Sequence, residues 1–111
     1  MPKTSIHTST VAKAALAHFA ALLRVRRKER KLKLDELADR LGVSTPTVRK
    51  LLDGSPSVSA GVYFEAAHIL GVPLFDPDPG CFASAASKTA EIDTLLPKRV
   101  RTRNLEIDDR F

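Results

Sequence analysis

The sequence lacks several patterns that define enzymes and metal sites. Its 111 residues include one cysteine, Cys81, five glycines and no tryptophan. A single cysteine excludes an intrachain disulfide and favours a reducing, cytoplasmic setting. No glycine-rich phosphate loop occurs, and the three histidines are too far apart for a zinc-binding motif. We therefore predict no catalytic site, no metal site and no cofactor.

Long hydrophobic runs are also missing. The most apolar stretch, VAKAALAHFAALL at residues 11–23, contains Lys13 and His18 and leads directly into the basic run RVRRKERK. It is too short to span a bilayer, which needs about 20 apolar residues. A signal peptide would need a basic lead and a small-residue cleavage site instead. We predict a helix here and no membrane association.

The charge of the chain is unevenly distributed. The net charge is +5, but residues 1–75 hold 12 Lys and Arg against 6 Asp and Glu, whereas residues 76–111 hold 6 against 7. A positive excess in one part of a chain is expected where that part binds a polyanion such as DNA. The alternative is a solvated basic face that maintains solubility.

Helical periodicity accounts for most of the first 75 residues. The first predicted helix covers about residues 10–30, with Ser9 or Thr10 as its N-cap. Its basic last turns suit the negative end of the helix dipole. Its buried stripe is predicted to comprise Val11, Ala15, Phe19, Leu22 and Leu23.

Three further helices are predicted from their termini. LDELADRLG carries acidic residues in its first turn and ends at Gly42. The next helix, about 45–52, has Ser44 as N-cap and Pro46 in its first turn, where a missing N–H is tolerated. A fourth covers 60–70 after Ser59. No stretch alternates as a strand does, so the fold class is all-α.

The residues after the fourth helix are predicted to be less ordered. A short fifth element starts at Leu74 and Phe75, DPDPG at 76–80 breaks the chain, and a weaker helix covers 82–96. Uncovered apolar side chains are expected at the end of the fourth helix and just after it, where they would form a two-fold interface. These side chains are Leu70, Val72, Leu74 and Phe75.

The stretch RLGVSTPTVRKLLDG at 40–54 indicates a helix-turn-helix. Glycine permits the sharp reversal, valine anchors the turn, and the second helix points its N-terminus outward. In DNA-binding versions this helix enters the major groove N-terminus first. The alternative is a helical hairpin within a packing bundle, with Arg49 and Lys50 merely solvated.

Residues 23–75 resemble the Cro/C1-type (XRE) helix-turn-helix family, centred on LRVRRKERKLKLDELADRLGVSTPTVRKLLDG and followed by VYFEAAHILGV. The resemblance implies a compact lambda-repressor-like bundle of about five helices. It also implies DNA-binding positions: Thr45, Pro46 and Arg49 at base edges, Lys50 beside them, Ser44 and Thr47 at phosphates, and Lys33 and Arg40 on the flanks.

Three residues depart from the family pattern. Leu34 stands where a phosphate-binding glutamine is common, and Lys31 replaces a glycine before the second helix. Asp53 places a negative charge near the expected phosphates. These departures leave the fold intact and affect the individual phosphate contacts.

The LKLD stretch at 32–35 and the tail LLPKRVRTRN…DDRF are similar to HipB-like antitoxins, which pair with HipA-type kinase toxins. This resemblance implies an autoregulating transcriptional repressor of a type II toxin–antitoxin pair, acting as a homodimer on a palindromic double-stranded operator. It suggests a partner-binding tail containing Lys98, Arg99, Arg101, Arg103 and Phe111.

Rival interpretations remain open at this point. The protein could be a stand-alone or phage-type regulator without a toxin, or an interaction module that kept the fold and lost DNA binding. The tail could be a disordered solubilising segment. The resulting domain prediction is a flexible N-terminus at 1–8, a helix-turn-helix domain at 9–75, a linker and weak helix at 76–96, and a flexible charged tail at 97–111.

Overall fold

The structure, a computed structural model, describes residues 7–75 and 78–98. Within these residues it contains five helices and no strand, which confirms the all-α fold. The helices are α1 (Thr10–Glu29), α2 (Leu34–Leu41), α3 (Thr45–Leu52), α4 (Ala60–Leu70) and α5 (Pro79–Leu95). The chain divides into two units, Met1–Leu74 and Phe75–Phe111, and each is described by itself.

The first four helices begin and end close to where the sequence predicts. Ser9 caps α1 by accepting a hydrogen bond of 3.1 Å from the backbone N–H of Ala12. Gly42 ends α2 with a left-handed φ of 70°, which glycine adopts without steric cost. Ser59 occupies the N-cap position of α4 as expected, but its side chain makes no capping hydrogen bond.

All twelve buried apolar residues in the described part of the chain lie in the first unit. Helix α1 packs on α3 and α4, and α2 packs on the same two helices. The fully buried side chains of Leu23, Leu37 and Leu51 meet at the centre of this bundle. Phe19 and Tyr63 stack beside it with ring centroids 5.6 Å apart.

The predicted inward stripe of α1 is correct for Phe19 and Leu23 and wrong for its other three residues. Val11 is 79% exposed, and Ala15 and Leu22 also face solvent. The side that packs consists of Leu16, Phe19, Ala20 and Leu23. The run at 11–23 is apolar on nearly every side, so periodicity alone could not select which side meets the other helices.

Lys31 adopts a left-handed backbone conformation, with φ of 54°. The N–H of Leu32 donates to the carbonyl of Arg27 across this residue, at 3.1 Å. The family pattern has glycine at this position because glycine adopts positive φ more readily than lysine. Lys31 therefore keeps the turn between α1 and α2 at some conformational cost.

The second unit differs from the prediction at its start. Leu74 and Phe75 form a bend and begin no helix. Helix α5 starts at Pro79, three residues before the predicted start, because Asp78 caps it by accepting a bond of 3.0 Å from the N–H of Cys81. Pro79 and Gly80 thus belong to a first turn and not to a break.

No residue of α5 is buried. The rings of Phe75 and Phe82 lie 5.9 Å apart and border an open apolar groove of about 570 Å³ along this helix. Leu70 and Val72, predicted to be uncovered, are instead buried in the core of the first unit. Among the described residues, no helix is long and apolar enough to cross a membrane.

Candidate nucleic-acid interface

Helix α2, a tight turn and helix α3 form the helix-turn-helix. The turn consists of Gly42, Val43 and Ser44. The N–H of Val43 donates to the carbonyl of Ala38 at 3.1 Å, and the Val43 side chain packs against the core. The turn is therefore fixed by a backbone bond on one side and by apolar contact on the other.

Ser44 organises the N-terminal end of α3. Its Oγ accepts from the backbone N–H of Thr47 at 3.3 Å and shares a 3.0 Å hydrogen bond with the Thr47 hydroxyl. Both residues were predicted as phosphate contacts, and both hydroxyls already serve the cap. Pro46 follows in the first turn and is exposed.

The two sides of α3 differ sharply in exposure. Val48, Leu51 and Leu52 are buried beneath the helix. On the other side, the predicted base-edge residues Pro46 and Arg49 are exposed, and so is Lys50. Thr45 and Thr47 are half-buried. The sequence thus brings a small, partly covered N-terminal turn and two exposed cations onto the outward side of one short helix.

The predicted flanking cations belong to α2. Lys33 precedes this helix and Arg40 lies in its last turn, and both are exposed. The carboxylate of Glu36 caps the start of α2 by accepting a hydrogen bond of 2.9 Å from the backbone N–H of Lys33. The Lys33 ammonium takes no part in this bond. Leu34 packs against the core, so its departure from the family pattern serves packing.

Three arginines at the C-terminal end of α1, two within the helix and Arg30 at its C-cap, have roles that sequence reasoning missed. Arg24 donates to the carbonyl of Leu52 at 2.5 Å, Arg27 to that of Leu32 at 2.9 Å, and Arg30 to that of Ile69 at 2.9 Å. The sequence suggested only dipole-favoured cations at the end of α1. No local signal identifies these bonds, because two of the partners are 28 and 39 residues away.

These bonds change the interpretation of the positive charge. Part of the basic excess in residues 1–75 is committed to helix ends inside the first unit, where cations offset the partial negative charge of carbonyl groups. In the described part of the chain, the exposed cations at or near the helix-turn-helix include Lys31, Lys33, Arg40, Arg49 and Lys50. Fewer cations are therefore available to contact a polyanion than the composition suggested.

The predicted partner-binding tail is only partly described. Lys98 is exposed. Arg99, Arg101, Arg103 and Phe111 lie outside the described residues. Among the described residues, no group of three His, Cys, Asp or Glu side chains could hold a metal ion. The hydrogen bond to Asp78 raises the pKa of the Cys81 thiol, which keeps that thiol protonated and weakly nucleophilic.

Comparison with known families agrees with this geometry. A family model described as a helix-turn-helix domain, of the XRE-like type, matches residues 18–76. The chain belongs to this helix-turn-helix family. The match begins within α1 and extends just past the first unit, so it covers the C-terminal part of α1 and all of α2, α3 and α4. Searches of curated proteins and of solved structures found no match.

Membership of this family makes the chain a DNA-binding helix-turn-helix regulator. The family model says nothing about which side chains meet DNA or which sequence they prefer. Those finer assignments depend on the exposed face of α3.

Proposed function

We propose that this protein is a sequence-specific transcriptional repressor that binds a palindromic double-stranded operator through α3. The observation that carries the proposal is the two-sided character of this helix. Val48 and Leu51 fix it to the core, while Arg49 and Lys50 project from the opposite side next to a partly exposed N-terminal turn. A helix held in this way can enter the major groove without disturbing its own packing.

The proposed roles follow from position on α3 and from side-chain chemistry. Arg49 donates a bidentate pair to a guanine edge, and the small Thr45 and Pro46 permit close approach to neighbouring bases. Lys50, Lys33 and Arg40 contact phosphates, which set orientation and affinity and carry no sequence information directly. Backbone N–H groups at the start of α3 add a phosphate site, as helix N-termini do.

The test compares Arg49→Ala with Lys50→Ala on a duplex that the wild-type protein selects from a randomised library. Arg49→Ala should cost about 1–3 kcal/mol on the selected duplex and relax the preference at one base pair per half-site. Lys50→Ala should weaken binding to selected and scrambled duplexes equally and reduce the salt slope by about one. Equal losses on both duplexes for Arg49→Ala would assign Arg49 to the backbone.

The proposed active form is a homodimer, because two recognition helices about 34 Å apart match one turn of a palindrome. The support is apolar surface that one subunit leaves open. In the second unit, Phe75, Phe82, Ile92, Leu95 and Leu96 are all exposed. With Leu70 and Val72 buried, the proposed interface moves from the end of α4 to these residues. A monomer by light scattering at micromolar concentration, with the selected duplex present, would refute it.

The proposed biological role is autoregulating antitoxin of a HipA-type kinase toxin. Its support is the resemblance of the LKLD stretch and of the tail to HipB-like antitoxins. The mixed charge of residues 97–111 suits a protein surface better than phosphates, which would repel Glu106 and Asp109. Co-expression with the neighbouring genes, followed by co-purification, tests for the toxin directly.

Removing residues 97–111 gives the matched control for that experiment. The shortened protein should keep its folding and its dimer, lose little operator affinity, and bind the toxin much more weakly. Full neutralisation of the toxin by the shortened protein would make the tail a solubilising segment. Operator binding without any co-purified kinase would favour a stand-alone regulator. A folded protein that selects no DNA would favour an interaction module.

A further inference from the structure

Most of the last carbonyl groups of α3 accept hydrogen bonds from the backbone N–H groups that follow the helix. The backbone N–H of Asp53 donates to the carbonyl of Arg49 at 3.0 Å. The N–H of Gly54 donates to the carbonyl of Leu51 at 3.1 Å, and the N–H of Ser55 to the carbonyl of Lys50 at 3.0 Å. The last two bonds, around a glycine with φ of 78°, form a Schellman motif. Of the last four carbonyls of the helix, this motif leaves that of Leu52 without a backbone donor.

Arg24 supplies the missing donor from another helix. Its guanidinium bonds the Leu52 carbonyl, and its side chain is half-buried between α1 and the end of α3. A charged donor on a helix C-terminus stabilises both groups, because the guanidinium meets the negative end of the helix dipole. The bond ties the last residue of the recognition helix to the longest helix of the unit.

Two further contacts fix the chain just beyond Leu52. A Cβ added at Gly54 would lie 3.1 Å from the carbonyl oxygen of Leu16, so the backbones of α1 and of this turn are in close contact. One residue later, the hydroxyl of Tyr63 donates to the Ser55 carbonyl at 2.7 Å. Tyr63 is held in turn by its stacking on Phe19. We call the contacts of Arg24, Gly54 and Tyr63 the exit clamp.

We propose that the exit clamp sets the orientation of the recognition helix, and that Arg24 is its principal positioning residue for sequence discrimination. This inference rests on the proposed sequence-specific binding through α3. Helix α3 has eight residues, about 12 Å of rise, so it is too short to be stable alone. Its direction is set by its three buried side chains and by what holds its two ends.

The argument separates Arg24 from the cations that meet DNA. Its charge is engaged by a carbonyl inside the protein, so it should not displace counterions from DNA. A small rotation of α3 displaces side chains at base edges, where hydrogen bonds need correct distance and angle. Phosphate contacts tolerate the same rotation better, because they carry no sequence information directly and do not need the bidentate geometry of a guanine edge. Loss of the clamp should therefore reduce discrimination more than it reduces general affinity.

The test uses the full chain with Arg24→Met, which keeps the apolar stem and removes the donor. Lys28→Met, an exposed cation on the same helix, is the matched control. The probes are the duplex selected by the wild-type protein and a scrambled duplex of equal composition. Arg24→Met should lower the ratio of the two affinities about tenfold, within the 1–3 kcal/mol range of one base contact, and leave the salt slope unchanged. Lys28→Met should leave that ratio unchanged.

Tyr63→Phe provides a second, milder variant. It removes the hydroxyl that donates to the Ser55 carbonyl and keeps the ring that stacks on Phe19. It should lower the same ratio by a smaller factor, which keeps the proposal testable if Arg24→Met does not fold. Equal loss on both duplexes with a lower salt slope would make Arg24 a phosphate contact and overturn the proposal. A lower melting temperature with an unchanged ratio would also overturn it. If the wild-type protein selected no sequence at all, the proposed function would fail as well.

Discussion

The four helices of the first unit and the single helix of the second illustrate two ways of keeping a helix in place. Helices α2 and α3 have eight residues each, and α5 has 17. The short helices contribute five buried residues to a shared core, and the long one contributes none. Length alone would make α5 the most stable of these three helices, because short helices are marginal in water. Tertiary contacts instead stabilise the two short helices.

The difference locates the buried core of the protein in its first unit. In the first unit, apolar burial and arginine bonds to helix ends hold α3 rigidly, as a recognition helix needs. In the second unit, α5 presents an open apolar groove and depends on its cap at Asp78 and on its own propensity. This groove is part of the surface at which we propose that a second subunit binds.

Truncating a leucine in each unit should give the largest contrast. Leu51→Ala opens a cavity at a fully buried site and should lower the free energy of unfolding by about 2–5 kcal/mol. Leu95→Ala changes a side chain that is 80% exposed and should change the stability of the first unit by less than about 0.5 kcal/mol. Urea unfolding followed by circular dichroism measures both. Similar losses would mean that α5 belongs to the same folding unit.

Replacing one glycine by alanine in each unit should destabilise the first unit and stabilise the helix of the second. Gly54→Ala puts a side chain at a left-handed φ and against the Leu16 backbone, so we expect a loss of about 1–3 kcal/mol. In α5, a Cβ at Gly80 meets only the end of the Asp78 side chain, at 3.4 Å. Gly80→Ala should raise the helicity of α5, since alanine is favoured over glycine by about 0.5–1 kcal/mol. A stable Gly54→Ala protein would disprove the close contact with α1.

Removing one N-cap from each unit separates global from local stability. Ser44→Ala should lower the unfolding free energy of the first unit by about 1 kcal/mol, because α3 unfolds with its core. Asp78→Ala should reduce helical ellipticity without moving the main thermal transition, since no residue of α5 is buried. A shift of the main transition by Asp78→Ala would mean that α5 unfolds together with the first unit.

The smallest expected effects concern pH and have opposite directions in the two units. Burial, helped by the nearby charge of Asp53, raises the pKa of Tyr63 above its ordinary value of 10.0. The raised pKa means that the fold favours the neutral phenol. That stabilisation is complete below pH 10 and declines as the pH rises through the folded pKa. Tyr63→Phe should remove this alkaline loss, as measured by urea unfolding in alkaline buffers.

At the acid end, hydrogen bonds from Cys81 lower the pKa of Asp78. The fold of α5 therefore favours the carboxylate, and its contribution declines as the pH falls through the lowered pKa. Helicity in Asp78→Asn should not show this acid dependence. A wild-type protein whose helicity is flat in acid would argue against the cap.

The sequence determined the helices of the first unit and the character of the site. Local features decided them: Ser44 and Pro46 at one start, Gly42 and Gly71 at two ends, and a turn with glycine, valine and serine. These residues act through bonds to neighbours a few positions away, so they can be recognised without a fold. For the same reason, the outward side of α3 followed directly from its spacing.

Only the tertiary structure decided which side of α1 is buried, where the uncovered apolar surface lies, and what the basic end of α1 does. The run at 11–23 offers apolar residues on several sides, and packing on α3 and α4 selects Leu16, Ala20 and Leu23. Arg24 and Arg30 bond carbonyls far away in sequence, at the ends of α3 and α4. Such bonds depend on how helices pack, and packing depends on the whole core at once, so no local pattern encodes them.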